Sequence, residues 1–146
     1  MKRTATAIWS GALKDGKGSI STQSGVLKES PYSFKARFED ESGKSATNPE
    51  ELIAAAHASC FTMQLSHFLA EAGHPATRLT TVAEVTVGPV PEGGQKISKS
   101  ALTLRGVVPG LDAAKFAELA ARAKAGCPVS QALAAIEITL EAKLEG

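Results

Sequence analysis

The sequence lacks the features that bind a polyanion. Sixteen Lys and Arg residues stand against fifteen Asp and Glu residues, which leaves a formal net charge of +1. The aromatic residues are few, with five Phe, one Trp and one Tyr. None of them lies in a basic run, where base stacking could alternate with phosphate contacts. We therefore expect no nucleic-acid partner.

Cysteine is also scarce, and its scarcity excludes whole classes of protein. Only Cys60 and Cys127 are present, so a disulfide framework is excluded and no Cys-x-x-Cys zinc pattern occurs. The sequence carries no glycine-rich dinucleotide motif, no phosphate-binding P-loop, no Gly-x-Ser-x-Gly and no His-Glu-x-x-His. Nucleotide binding, ester hydrolysis and zinc-protease chemistry therefore have no support. Thiol chemistry is what remains.

The chain begins without an apolar run and a small-residue cleavage site, so we expect a cytoplasmic protein. One long segment, from Leu52 to Ala70, contains no Asp, Glu, Lys or Arg. Polar residues interrupt this alanine-rich segment, among them His57, Ser59, Gln64, Ser66 and His67. Such a composition favours a helix buried in protein over one in a membrane.

The first part of the chain predicts a meander of strands over residues 3–10, 18–24 and 32–39. In the third of these, aromatic residues and alanine alternate with polar ones, which places Arg37 on the polar face. Asn48, Pro49 and Glu51 form a helix start, in which Asn caps and Glu51 returns a bond to the cap. This helix is expected to end near Ala72, before Gly73.

The second part predicts a hairpin of strands 79–87 and 97–108, then a helix capped by Asp112 and ended by Gly126. A short helix with Cys127 as its cap follows, and strand 136–144 closes the chain. These elements predict one α+β domain over residues 1–146, with antiparallel sheets around a long buried central helix. A helix without a charged face needs cover on every side, so we expect a partner chain.

The residues alone leave the role of each cysteine open. Cys60, in the middle of a helix, is typical of a small buried hydrophobic residue. Cys127 lies at a helix N-terminus, where the helix dipole favours a thiolate. Position alone therefore favours Cys127 as the nucleophile.

A metal site is an alternative use of the same thiols. His57 precedes Cys60 by three residues and so shares nearly the same helix face, and His67 or His74 could supply a fourth ligand to a site with Cys127. Arg37 and Glu50, taken alone, are typical of a solvated surface arginine and a first-turn acid.

Two segments nevertheless resemble the signatures of the OsmC/Ohr family, the osmotically inducible and organic-hydroperoxide-resistance proteins. They are Asn48–Met63, around Cys60, and Gly126–Leu133, around Cys127. Three further segments extend the resemblance over nearly the whole chain: Ala7–Gly11, Ser21–Leu27 and Tyr32–Phe38. The position of Arg37 is similar to that in the OsmC branch, whereas the Ohr branch carries its arginine on an earlier strand.

The resemblance implies a thiol-dependent peroxidase that reduces organic hydroperoxides, with hydrogen peroxide as a second candidate substrate. It implies an intertwined homodimer, no cofactor or metal, and a small dithiol or lipoyl-type reductant. Cys60 would be oxidised to a sulfenic acid, and Cys127 would resolve it as a disulfide, which reverses the order favoured by position. Arg37 would lower the pKa of the Cys60 thiol and orient the peroxide, and Glu50 would hold Arg37.

Glu50 and Cys60 are ten positions apart, or roughly 15 Å along a straight helix. We therefore expect Glu50 to serve the Cys60 of the other subunit. Two alternatives stay open: a non-catalytic redox switch or binding module that uses the same thiol pair, and a metal-binding protein.

Overall fold

The computed structural model describes residues 1–146, which divide into two units, Met1–Leu52 and Ile53–Gly146. The first unit contains a three-stranded antiparallel sheet. Its strands are β1 (Ala5–Ser10), β2 (Lys17–Thr22) and β3 (Ser30–Tyr32), in that order across the sheet. The first two strands of the predicted meander are thus confirmed, whereas the third strand, β3, lies almost entirely before the segment predicted for it.

The strand predicted over residues 32–39 is wrong, because the chain leaves the sheet after Tyr32 and forms helix α1 (Phe34–Phe38). The Ser33 hydroxyl caps α1 by accepting a hydrogen bond from the Ala36 amide at 3.1 Å. In a helix Phe34 and Phe38 become neighbours, with ring centroids 5.2 Å apart. Arg37 therefore lies on a short helix and not on the polar face of a strand.

Helix α2 (Pro49–Glu71) begins and ends close to the predicted positions. The Asn48 side chain accepts a hydrogen bond from the Glu51 amide at 2.8 Å, as expected of a cap. The Glu51 carboxylate accepts from the Thr47 hydroxyl at 2.6 Å, in place of the predicted return bond to the cap. Gly73, with a φ of +82°, takes the left-handed conformation that follows many helices.

Within a single chain, α2 is buried on one side only, so the prediction of a helix covered on every side with the help of a partner chain stays a prediction. Its buried stripe recurs at helical spacing and consists of His57, Phe61, Leu65, Phe68 and Leu69. The other side is exposed and carries mostly small residues, together with Met63, which is 71% exposed. The absence of charge between Leu52 and Ala70 therefore marks an uncovered surface in this chain.

The second unit contains a mixed sheet, which corrects the prediction of purely antiparallel sheets. Strands β4 (Arg78–Pro89) and β5 (Gln95–Val107) form the predicted antiparallel hairpin, with an irregularity between Thr86 and Val87. Strand β6 (Glu137–Leu144) pairs with β5 in parallel. A parallel neighbour requires a crossover, which is provided by helices α3 (Ala113–Gly126) and α4 (Pro128–Ala132).

The core of the second unit is formed by α2, β5 and α3. Phe61 and Leu65 from α2, Leu102 and Leu104 from β5, and Phe116 from α3 are all at most 1% exposed. Gly106 of β5 allows the close approach of α3, because a Cβ atom there would lie 2.5 Å from the Phe116 ring. No helix in the structure combines the length and the hydropathy needed to cross a membrane.

Candidate active site

The two cysteines, which are 67 residues apart in the sequence, are neighbours in the second unit, where their thiols interact. Cys60 comes from the middle of α2 and is partly buried, whereas Cys127 caps α4 and is 0% exposed. Both are free thiols. The Cys127 sulfur accepts a hydrogen bond from the Ser130 amide at 3.5 Å. The fold therefore supplies a pair of adjacent thiols, of which one is accessible.

The surroundings of Cys60 within this unit disfavour its thiolate. Burial raises the pKa of the Cys60 thiol, and the neighbouring Cys127 thiol raises that pKa further. The Val129 amide, in the first turn of α4, donates toward Cys60 and acts in the opposite direction. A nucleophilic Cys60 therefore needs positive charge from another part of the protein.

The positional argument for Cys127 as the first nucleophile loses much of its basis. Helix α4 has only five residues, so it has few aligned peptide dipoles. Because the Cys127 side chain is fully buried and Cys60 is only partly buried, Cys60 is the thiol that a solute can reach. Of the two thiols, Cys60 is therefore the more accessible one.

His57 is bound on both sides by serine hydroxyls and is 0% exposed. Its Nδ1 lies 2.7 Å from the Ser100 Oγ, and its Nε2 lies 2.8 Å from the Ser130 Oγ. Burial lowers the pKa of His57, which favours a neutral imidazole. Since both ring nitrogens have partners, His57 is not available for the metal site considered from the sequence.

The other two histidines also have different surroundings. His67 is exposed and lies 3.5 Å from the Glu71 carboxylate, one helical turn along α2. The His74 Nδ1 lies 3.3 Å from the Pro109 carbonyl oxygen. No group of three or more His, Cys, Asp and Glu side chains is arranged to hold a metal ion.

In the first unit, Arg37 and Glu50 form a two-point ion pair. The Arg37 Nη2 lies 2.6 Å from the Glu50 Oε1, and the Nε donates to the Oε2 at 3.2 Å. Glu50 is 8% exposed, so it is neither a solvated first-turn acid nor a surface residue. The geometry fixes the plane of the guanidinium and leaves its remaining N–H groups free for another partner.

An apolar cavity of about 310 Å³ opens beside Arg37 in the first unit. Its walls include aromatic and aliphatic side chains: Trp9, Leu13, Tyr32, Phe34 and Phe38. The Arg37 guanidinium carbon lies 4.8 Å from the centre of the Phe38 ring. The cavity therefore combines a cation with a surface suited to an apolar ligand.

Sequence reasoning missed Ser100 and Ser130, the two partners of His57. One signal was present for Ser100, which shares the buried face of β5 with Leu102 and Leu104 and so is a polar residue on an apolar face. Ser130 falls within the segment that resembles the family signature, but nothing in the sequence pairs it with His57. Their juxtaposition depends on the crossover that returns the chain to β6.

Residues 41–141 match the model of the OsmC-like protein family. Peroxiredoxin OsmC of Escherichia coli (strain K12) is 52% identical over 139 residues, which cover 95% of this chain and 94% of that protein. Peroxiredoxin OsmC of Shigella flexneri matches to the same extent.

Solved structures agree with this assignment over nearly the full length of the chain. The organic hydroperoxide resistance protein OsmC of Legionella pneumophila is 26% identical, with a TM-score of 0.70 and coverage of 98% of this chain and 97% of that one. The organic hydroperoxide resistance protein OhrB of Bacillus subtilis is 27% identical, also with a TM-score of 0.70, and the match covers 97% of this chain and 98% of that one. The chain therefore belongs to the OsmC family, as its two cysteine segments suggest.

Proposed function

We propose that this protein reduces organic hydroperoxides to alcohols through a Cys60 sulfenic acid and a Cys60–Cys127 disulfide. It is a thiol-dependent peroxidase, as supported by its 52% identity to peroxiredoxin OsmC. The observation that carries the residue roles is the pairing of a partly exposed Cys60 with a fully buried Cys127. An accessible sulfur meets the substrate, and a protected neighbour completes the reaction.

The reduction of the peroxide proceeds in three steps. The Cys60 thiolate attacks the peroxide, so that an S–O bond forms, the O–O bond breaks and the alkoxide takes a proton to leave as an alcohol. Cys127 then attacks the sulfenic sulfur, which forms the disulfide and releases water. An external dithiol, of the dihydrolipoyl type or another small dithiol, reduces the disulfide and is itself oxidised. No metal or prosthetic group takes part.

Arg37 supplies the positive charge that Cys60 lacks in its own unit. It lowers the pKa of the thiol and stabilises the negative charge that develops on the leaving oxygen. Glu50 holds Arg37 by the two-point pair and thus fixes the direction of its free N–H groups. The apolar cavity beside Arg37 suits an organic peroxide better than hydrogen peroxide.

The protein acts as a homodimer in this proposal. The exposed side of α2 is uncharged from Leu52 to Ala70 and carries the exposed Met63. Burial of such a surface against a second copy stabilises a dimer by the hydrophobic effect. In the dimer, Glu50 and Arg37 serve the Cys60 of the partner subunit.

The test is peroxide consumption by the purified protein with dithiothreitol or dihydrolipoamide, with cumene hydroperoxide compared with hydrogen peroxide. We expect repeated turnover, faster with cumene hydroperoxide, and none in Cys60→Ser. A non-catalytic redox switch would consume about one equivalent of peroxide per site, even with reductant in excess. Activity that disappears with a chelator would instead indicate a metal-dependent protein.

A further inference from the structure

The buried imidazole of His57 joins three elements of the second unit. It lies on α2, one turn before Cys60, and reaches Ser100 on the central strand β5 and Ser130 on α4. The peroxide chemistry proposed above uses none of these three side chains. All three are at most 5% exposed, so the group sits where polar atoms are costly to bury.

Every polar atom of the group is satisfied. A neutral imidazole has one N–H and one acceptor nitrogen, and each serine hydroxyl can donate or accept, so either tautomer can complete both hydrogen bonds. No buried side-chain nitrogen or oxygen in the structure lacks a partner. A satisfied buried network holds its members in one arrangement, because the loss of any one member leaves the others unpaired.

Ser130 connects this network to the resolving sulfur. Its hydroxyl pairs with His57 at 2.8 Å, and its amide donates to the Cys127 sulfur at 3.5 Å. The residue before it, Val129, directs its own amide toward Cys60. The first turn of α4 therefore touches both sulfurs, and its only side-chain hydrogen bond to α2 is the one between Ser130 and His57.

We propose that His57, with Ser100 and Ser130, is a positioning group that holds α4 against α2 so that Cys127 can attack the Cys60 sulfenic acid. The inference rests on the proposed function and assigns these residues to its second step. His57 does not touch the peroxide, so the group affects formation of the disulfide and not the first oxidation. Because a sulfenic acid that waits is oxidised further to the sulfinic acid, the group also protects Cys60.

The test measures the first oxidation and the formation of the disulfide separately in Ser130→Ala. The matched control is Ser98→Ala, because Ser98 is an exposed serine on β5 without a side-chain hydrogen bond. One equivalent of cumene hydroperoxide is added to reduced protein without reductant, and peroxide loss and disulfide formation are followed separately. We expect disulfide formation to slow about tenfold in Ser130→Ala, as fits the loss of a buried hydrogen bond. Peroxide loss should change by less than about twofold, and dimedone-labelled sulfenic acid should accumulate.

Two further variants keep the test decisive. Ser130→Thr retains the hydroxyl and should restore the rate of disulfide formation. If Ser130→Ala does not fold, Ser100→Ala removes the other hydroxyl from the same imidazole and should show the same imbalance between the two steps. A parallel loss of both steps, or rates equal to those of Ser98→Ala, would overturn the positioning role.

Diamide, which oxidises thiol pairs without peroxide chemistry, distinguishes failure of this inference from failure of the proposed function. If the wild type consumes no peroxide but forms the disulfide with diamide faster than Ser130→Ala does, the positioning role stands and the peroxidase proposal fails. If the wild type is an active peroxidase and diamide gives equal rates in both proteins, the positioning role fails and the peroxidase proposal stands.

Discussion

Arg37 binds Glu50 through two of its nitrogens, at 2.6 Å and 3.2 Å, and the carboxylate that it meets is more than nine-tenths buried. The arginine is itself about one-third exposed. The two residues of the pair therefore differ: the buried Glu50 carboxylate holds the guanidinium in place, and the partly exposed guanidinium keeps N–H groups that do not bind Glu50. This arrangement is suited to holding a cation for a second negative group.

Replacement of Arg37 by alanine should slow oxidation of Cys60 far more than it destabilises the protein. The change leaves the buried, charged Glu50 carboxylate unpaired, which lowers the free energy of unfolding by about 3 kcal/mol. In the proposed mechanism it also removes the cation that lowers the pKa of the Cys60 thiol. The measurement is the pH dependence of Cys60 alkylation, which should show a higher pKa in Arg37→Ala. An unchanged pKa would make Arg37 a structural partner of Glu50 only.

Substitution of each cysteine should give a different product. Cys60→Ser should abolish the reaction with peroxide, since it removes the accessible sulfur. Cys127→Ser should permit one oxidation per site and trap a sulfenic acid, detectable by dimedone labelling and mass spectrometry. If Cys127→Ser prevented the first oxidation and Cys60→Ser did not, the order of attack would be reversed and the positional argument for Cys127 would be right.

Removal of the Cys127 thiol should lower the pKa of Cys60. In the folded chain burial raises that pKa most, and the Cys127 thiol adds to the effect. The variant Cys127→Ala removes the second contribution, so Cys60 alkylation by iodoacetamide should rise at a lower pH than in the wild type. The exposed substitution Ser98→Ala is the control. A profile unchanged in Cys127→Ala would show that the two thiols do not interact in solution.

Helix boundaries were predictable where the signals were local. Asn48, Pro49 and Gly73 set the ends of α2, and Asp112 caps α3 through the Lys115 amide at 2.8 Å, as expected. The α1 region was not predictable from its alternation, because a five-residue helix capped by Ser33 places the same aromatic residues on one side. Periodicity separates helix from strand only over longer segments.

The contacts between distant segments of the site could not be predicted from the sequence. The parallel pairing of β6 with β5 is set by the whole crossover, and it brings α4 next to α2. Only this placement puts Ser130 beside His57 and Cys127 beside Cys60. The roles of the cysteines came from the resemblance to a family, since local position alone favoured the other sulfur.

His57 should make the stability of the protein depend on pH. Its pKa is ordinarily near 6.5, and burial lowers the pKa in the folded state. Below pH 6.5 the unfolded chain therefore binds a proton that the folded chain does not, and stability falls as the pH falls, by at most about 1.4 kcal/mol per pH unit. Above pH 6.5 this contribution is constant.

Urea unfolding between pH 5 and pH 8 checks this expectation. In His57→Gln, the free energy of unfolding should depend less steeply on pH below pH 6.5, because one titrating group has been removed. His67→Gln changes an exposed histidine and should keep the pH dependence of the wild type. Equal slopes in the wild type and His57→Gln would mean that His57 binds a proton equally well in the folded and the unfolded protein.

The last prediction concerns which subunit supplies Glu50. Helix α2 runs without interruption from Pro49 to Glu71, so ten residues separate Glu50 and Cys60 by roughly 15 Å along its axis, more than a glutamate side chain spans. We therefore expect Glu50→Ala and Cys60→Ser, each inactive alone, to complement each other. Unfolding and refolding the two together should form heterodimers in which one site has both residues, and part of the wild-type activity should return. Wild-type protein taken through the same treatment is the control. Heterodimers that remain inactive while the control recovers would show that Glu50 acts within its own chain or not at all.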